Sequence, residues 1–124
     1  MYVETDFLLS LFKKEDWLKK KAENIYNKHK SELWTSTITL LEMLLWARRE
    51  GYEPAEVIEG VSSLVEIKDI NLNYHMLLAV SSLMNEYKLT PFDALHAFIA
   101  KDTTIVSSER KYDKIGLKRI RLED

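Results

Sequence analysis

The stretch Thr90-Pro91-Phe92-Asp93-Ala94-Leu95-His96-Ala97-Phe98-Ile99-Ala100-Lys101-Asp102-Thr103-Thr104-Ile105-Val106-Ser107 sets a helix directly before a strand. Thr90 is a capping residue, and Pro91 suits the first helical position, where its missing N–H leaves nothing unpaired. The helix Ala94 to Lys101 follows, and Thr104 to Ser107 then reads as a β-rich strand. The same alternation recurs outward in both directions. Upstream, Tyr2 to Thr5 reads as a strand, followed by a helical stretch through Phe12 and a longer helix opened by Glu15-Asp16 that runs to about Lys30. Leu33 to Ser36 is a second strand, leading into a helix from Thr39 that ends at Gly51. Pro54 starts another helix, Val65 to Ile70 alternates as a third strand, and Asn71 to Tyr87 has helical apolar spacing. Downstream of Ser107, a short amphipathic turn over Tyr112 to Ile115 precedes a last strand, Lys118 to Leu122.

Strands separated by helices, with no hairpin signals, pair in parallel through right-handed crossovers. The expected class is α/β: three layers, with a central parallel sheet of four to five strands flanked by helices on both faces. At 124 residues the chain fits one globular domain spanning 1–124, and no repeat or Pro/Gly-rich linker divides it.

Composition narrows the chemistry. There are no cysteines and only three histidines, so disulfide frameworks and thiolate metal sites are excluded and a metal would need oxygen ligands. No apolar run approaches the roughly 20 residues that span a bilayer, and the opening residues do not read as a signal peptide. A soluble, cytoplasmic protein is the expectation. A net charge of −2 argues against an indiscriminate nucleic-acid binder, although Arg110, Lys111, Lys114, Lys118, Arg119 and Arg121 form a local basic cluster.

Five carboxylates stand at strand ends or helix starts: Glu4, Asp6, Glu42, Asp93 and Glu109. In open parallel sheets, ligands bind beyond the carboxyl ends of the strands where strand order reverses. Glu4 and Asp6 close the first strand and Glu109 follows the fourth, while Glu42 and Asp93 lie on helices able to lean toward that edge. Acids brought together repel and raise one another's pKa unless a cation neutralises them. Clustered Asp and Glu oxygens suit Mg²⁺ or Mn²⁺. In two-metal sites, ions roughly 3.5–4 Å apart hydrolyse phosphodiesters without a protein nucleophile.

Each acid also has an ordinary explanation. Thr39-x-x-Glu42 and Thr90-x-x-Asp93 have the spacing of capping boxes, and Glu109 suits a helix start. His96, three residues after Asp93, shares its helix face, yet in so apolar a helix it reads as a packed histidine with its polar edge satisfied. Trp17, Trp34 and Trp46 fall in apolar patterns and read as core or dimer contacts rather than base-stacking platforms.

Tyr2-Val3-Glu4-Thr5-Asp6-Phe7-Leu8-Leu9, Thr39-Leu40-Leu41-Glu42, Phe92-Asp93-Ala94-Leu95-His96-Ala97 and Ile105-Val106-Ser107-Ser108-Glu109 together resemble the ordered motifs of PIN domains. The resemblance covers essentially the whole chain, and at this length it is greatest to VapC-type toxins of toxin–antitoxin pairs. It implies an endoribonuclease dependent on Mg²⁺ or Mn²⁺, with RNA as substrate, a VapB-type antitoxin as partner and a homodimeric state. Glu4 stands where the family's first acid is usually aspartate, with Asp6 two places on, so either is a candidate principal ligand. Glu42, Asp93 and Glu109 match the second, third and fourth acids, the last again usually aspartate. Glutamate extends each carboxylate by a methylene, which bears on how Mg²⁺ is held. Thr5 and Ser107 match supporting hydroxyl positions, and Arg110, Lys111 and Lys114 are candidate RNA-phosphate contacts. The apolar residues of the Glu15 to Lys30 helix and the Val57 to Leu64 helix offer a groove for an antitoxin helix or a second copy. The alternative function is a PIN-like module that has lost catalysis and binds RNA or protein.

Overall fold

The computed structural model describes residues 1–124. Five short parallel strands, β1 (Tyr2–Val3), β2 (Trp34–Ser36), β3 (Glu66–Lys68), β4 (Ile105–Ser107) and β5 (Arg119–Arg121), form one sheet in the order β3-β2-β1-β4-β5. Seven helices connect and cover them: α1 (Thr5–Phe12), α2 (Lys19–His29), α3 (Thr37–Glu50), α4 (Pro54–Leu64), α5 (Tyr74–Tyr87), α6 (Pro91–Ile99) and α7 (Lys111–Ile115). The expected α/β class with a helix-covered parallel sheet is therefore observed.

Alternation along the strands divides the core between the two faces. Val3 pairs with Val106, and both enter a cluster with Phe7, Leu8, Met43, Trp46, Val57 and Val61 from α1, α3 and α4. Their neighbours Tyr2 and Ile105 pair with each other and pack with Ala97 of α6, Ala100 just after it and Tyr112 of α7. This period of two is what a sheet buried on both faces requires. Phe7 and Leu8 are fully buried, each stabilising the fold by about 2 kcal/mol from removal of apolar surface. Gly60 permits the close approach of α4 to α1, since a Cβ there would lie 2.7 Å from the Phe12 ring.

Several boundaries differ from the sequence expectation. The first strand stops at Val3, and helix α1 starts at Thr5, so Asp6 occupies a first helical turn instead of a strand end. Glu15-Asp16 does not open α2. Asp16 instead accepts the Leu18 N–H at 2.8 Å in a turn, and the helix begins at Lys19. Helix α3 begins at Thr37 after Ser36, which puts Thr39 inside the helix and removes the capping-box reading of Glu42. Thr90 does cap α6, its hydroxyl accepting the Asp93 N–H at 3.2 Å. Helix α5 starts at Tyr74, capped by Asn73, rather than at Asn71.

Candidate active site

Chain direction diverges from β1: its neighbours are β2 on one side and β4 on the other, so the connections lead away from each other and leave a crevice at the strand ends. Glu4 immediately follows β1, and Ser108 and Glu109 follow β4. Glu42 reaches this region from the second turn of α3, and Asp93 from the first turn of α6.

Burial and mutual repulsion identify the acids as neighbours. Burial pushes Glu4 well above the usual carboxylate range, with added repulsion from Asp6, Asp93 and Glu42, while a hydrogen bond from Tyr112 acts the other way. Burial also raises Asp6, opposed by the Ser108 donors. Asp93 is raised by burial and by the charges of Glu109 and Glu42, with the Thr90 hydroxyl and His96 opposing. All five acids are thus linked by charge across one crevice.

Three of them share a pattern of one-sided anchoring. The Tyr112 hydroxyl donates to Glu4 Oε2 at 2.8 Å, with the Asp93 carbonyl also within 3.1 Å of it. Ser108 donates both its N–H and its hydroxyl to Asp6 Oδ2, at 2.8 and 2.6 Å. Thr5 donates to Glu42 Oε1 at 2.6 Å, and His96 Nε2 bonds the same oxygen. In each acid the second oxygen takes no bond from a hydroxyl, imidazole or backbone donor at hydrogen-bond geometry; for Asp6 that oxygen, Oδ1, is buried, and the Glu4 carboxyl lies close enough to Asp6 to act on it as a hydrogen-bond partner. Glu109 differs: its Oε1 accepts the Lys111 N–H at 3.0 Å, so the helix-start role foreseen for it at α7 is real.

The supporting residues divide. Thr5 bonds an acid directly, whereas the buried Ser107 hydroxyl accepts the Glu109 N–H at 2.9 Å and fixes the turn after β4. Of the basic cluster, Arg110 is mostly exposed but lies 3.5 Å from Glu123, Lys111 Nζ donates to the Lys88 carbonyl, and Lys114 is exposed. Arg119 is not available to RNA, because its buried guanidinium is occupied by Asp113, Glu123 and the Ser107 carbonyl. Lys118 precedes β5 and so lies at the opposite end of the sheet from the acids. His96, 1% exposed, is a packed histidine with both nitrogens engaged, as its apolar helix predicts. Trp46 is in the core and Trp34 packs edge-on against Tyr2, but Trp17 is 77% exposed.

Sequence reasoning missed the anchors Tyr112 and Ser108. Tyr112 carried one signal, an aromatic residue among Arg110, Lys111, Asp113 and Lys114, because a buried phenol must find a hydroxyl partner.

The residues fit a divalent cation. Asp6 Oδ1 is a buried oxygen with no hydroxyl, imidazole or backbone donor, an arrangement costing about 1–3 kcal/mol, and clustered carboxylates that repel one another are relieved by a hard cation. No three Asp, Glu or His side chains form a ready-made cage. Mg²⁺ does not require one, since it commonly keeps several waters and takes one or two carboxylates.

A parallel sheet with an acidic crevice between β1 and β4 defines the class: residues 1–117 match the family model described as PIN domain, and the chain belongs to the PIN-domain family. Among curated proteins, none matches the sequence. Solved structures share the fold. A Mycobacterium tuberculosis VapC toxin described as cleaving the sarcin–ricin loop superposes with a TM-score of 0.78 at 14% identity, over 97% of this chain and 98% of that one. A chain of the DNA-bound VapBC complex of Salmonella typhimurium gives 0.69 at 20% identity, over 98% and 96%. A chain of the VapBC2 complex of Rickettsia felis, bound to a promoter fragment, gives 0.71 at 17% identity, over 97% and 96%. No helix of this protein is long and apolar enough to cross a membrane.

Proposed function

We propose that this protein is an endoribonuclease dependent on Mg²⁺ or Mn²⁺, a single PIN domain over residues 1–124 acting in the cytoplasm as the toxin of a VapBC-type pair. The observation that carries the reading is the one-sided anchoring of Glu4, Asp6 and Glu42, each with one oxygen held by the protein and the other left without a hydroxyl, imidazole or backbone donor. Glu4, Asp6, Glu42 and Asp93 would hold the cation, with Glu109 at the margin beside Asp93. The cation, when bound, activates water and neutralises charge developing on a phosphodiester. The protein orients its carboxylates through Tyr112, Ser108, Thr5 and His96, so that little reorganisation is needed during reaction. Arg110 and Lys114 would contact RNA phosphates by their exposed charge.

Two surfaces suit partners. A groove of about 150 Å³ between Phe12, Trp46, Tyr52 and Val57 is rimmed by Glu53 and Glu56, which fits an apolar and basic segment of an antitoxin. The apolar residues of α2 and α4 lie in the core, so a dimer face on those helices is less apt than one on α3 and α5. There Leu41, Leu45, Leu77 and Leu78 are 47–57% exposed, and the start of α3 packs beside α5 through Ile38 and Val80. The second reading, a binding module without catalysis, draws on the absence of a ready-made cage and on the use of Glu109 in its own helix turn.

The deciding experiment is cleavage of a mixed structured and single-stranded RNA pool by purified protein in Mg²⁺, Mn²⁺ or EDTA, beside an Asp93→Asn variant. The nuclease reading expects metal-dependent cleavage reduced at least 100-fold in the variant, on the order of one electrostatic catalytic contact. Equal inactivity of two folded, antitoxin-free proteins would move the binding module ahead.

A further inference from the structure

We propose that Tyr2 and His96 are positioning residues that orient Glu42 for a divalent cation, an inference that rests on the reading of the crevice as a metal centre. Glu42 has a long side chain, and fixing it costs on the order of 1.5–2 kcal/mol of rotamer freedom. Its Oε1 takes two donors, Thr5 from α1 and His96 from α6. A carboxylate only accepts, so His96 Nε2 carries the proton in that bond. In the neutral ring Nδ1 is then an acceptor, and the Tyr2 hydroxyl lies 2.6 Å from it. That hydroxyl in turn lies 2.8 Å from Ser36 Oγ and 3.4 Å from Thr39 Oγ1.

The chain Ser36–Tyr2–His96–Glu42 therefore ties β2, β1, α6 and α3 together, with its first three members 0–1% exposed. Its last bond emerges at the crevice, where Glu42 is 22% exposed at its side chain. His96 also follows Asp93 by three residues on one helix face, so α6 supplies one acid and aims another. A second donor to a ligand carboxylate fixes which oxygen faces the ion, and outer contacts of this kind are worth 10–100-fold in metal affinity as a general order of magnitude.

The test measures Mn²⁺ binding to the full chain by electron paramagnetic resonance, with proton relaxation reporting the waters on the bound ion, for wild type, His96→Leu, His96→Gln, Tyr2→Phe and Asp93→Asn. His96→Leu is expected to weaken binding about tenfold and to change the water count, because Thr5 alone holds Oε1. His96→Gln, whose amide can donate near the Nε2 position, is expected to restore most of the affinity. Tyr2→Phe, with its ring packing retained, should weaken it about threefold by freeing the imidazole to turn. A folded His96→Leu with wild-type affinity and water count overturns the proposal while leaving the metal centre standing. If His96→Leu does not fold, an unchanged Tyr2→Phe overturns it equally. Wild type that binds no Mn²⁺ removes both the metal reading and the proposal.

Discussion

The Tyr112 hydroxyl and the Glu4 carboxylate are 108 positions apart in sequence and 2.8 Å apart in space, both buried. The phenol keeps its proton because burial and the adjacent charges of Glu4 and Asp93 raise its pKa. It is thus a permanent donor to an acid whose other close polar neighbour is the Asp6 carboxyl. Tyr112→Phe is expected to fold, since the ring packing with Tyr2 and Ile105 remains, and to lose about 1–3 kcal/mol of support for the ionised Glu4. Titration of thermal stability with Mg²⁺ should then show a midpoint shifted upward. An unchanged midpoint would leave Tyr112 as a packing residue only.

Metal-free protein should become more stable as pH falls from neutral toward the ordinary carboxylate range of roughly 4. Glu4, Asp6 and Asp93 all have raised folded pKa values, so the folded state binds more protons than the unfolded one above the ordinary carboxylate range of roughly 4. Their contribution is complete below that range and is lost as pH rises through the raised values. Asp113 and Glu123, lowered chiefly by Arg119, act oppositely, and their contribution is lost only as pH drops below about 4. Melting curves in EDTA across this interval check the sign, at roughly 4 °C per kcal/mol for a chain of this size. Saturating Mg²⁺ should flatten the slope, and Asp93→Asn should raise the EDTA melting temperature at pH 8.

Leu45→Glu tests the α3 and α5 face. Leu45 is 57% exposed, so a charge there costs the monomer fold little, within about 0.5 kcal/mol. Sedimentation should give a dimer for wild type and a monomer for the variant, with matching circular dichroism. A wild-type monomer at tens of micromolar would exclude this face as a stable interface.

Arg119→Met should destabilise the fold by about 2–3 kcal/mol, measured by urea unfolding. Its side chain is 1% exposed, bridges Asp113 and Glu123 and donates to the Ser107 carbonyl at 2.8 Å, so its loss leaves Glu123 with only the more distant Arg110, while the Ser107 carbonyl keeps the Leu122 N–H. Because Ser107 fixes the turn that presents Ser108 and Glu109, cleavage should fall as well. A loss below 0.5 kcal/mol would mean that Arg110 replaces it at Glu123.

Local chemistry made much of this architecture legible. Thr90-Pro91 marks a helix start by a cap and a missing donor, and both act so in the fold. Val3 and Val106 announce buried strands by their branched side chains, and they pair. Thr5 misled, because a β-branched residue after Tyr2-Val3-Glu4 extends the strand pattern although Glu4 is already the extended residue before a helix. The five acids were visible one by one, as charged residues at element ends. Their anchors were not, since Tyr112 meets Glu4, Ser108 meets Asp6 and His96 meets Glu42 only once the sheet order brings distant segments together.

That sheet order also sets when the crevice can exist. β1 is made first but sits in the middle of the sheet, and its β4 neighbour, with Ser108 and Tyr112 beyond it, comes from the last fifth of the chain. During synthesis Glu4, Asp6 and Glu42 emerge long before the groups that hold and complete their arrangement. A nascent chain therefore carries these acids without their anchors, and the crevice takes its final form only after β4 and Tyr112 have been made.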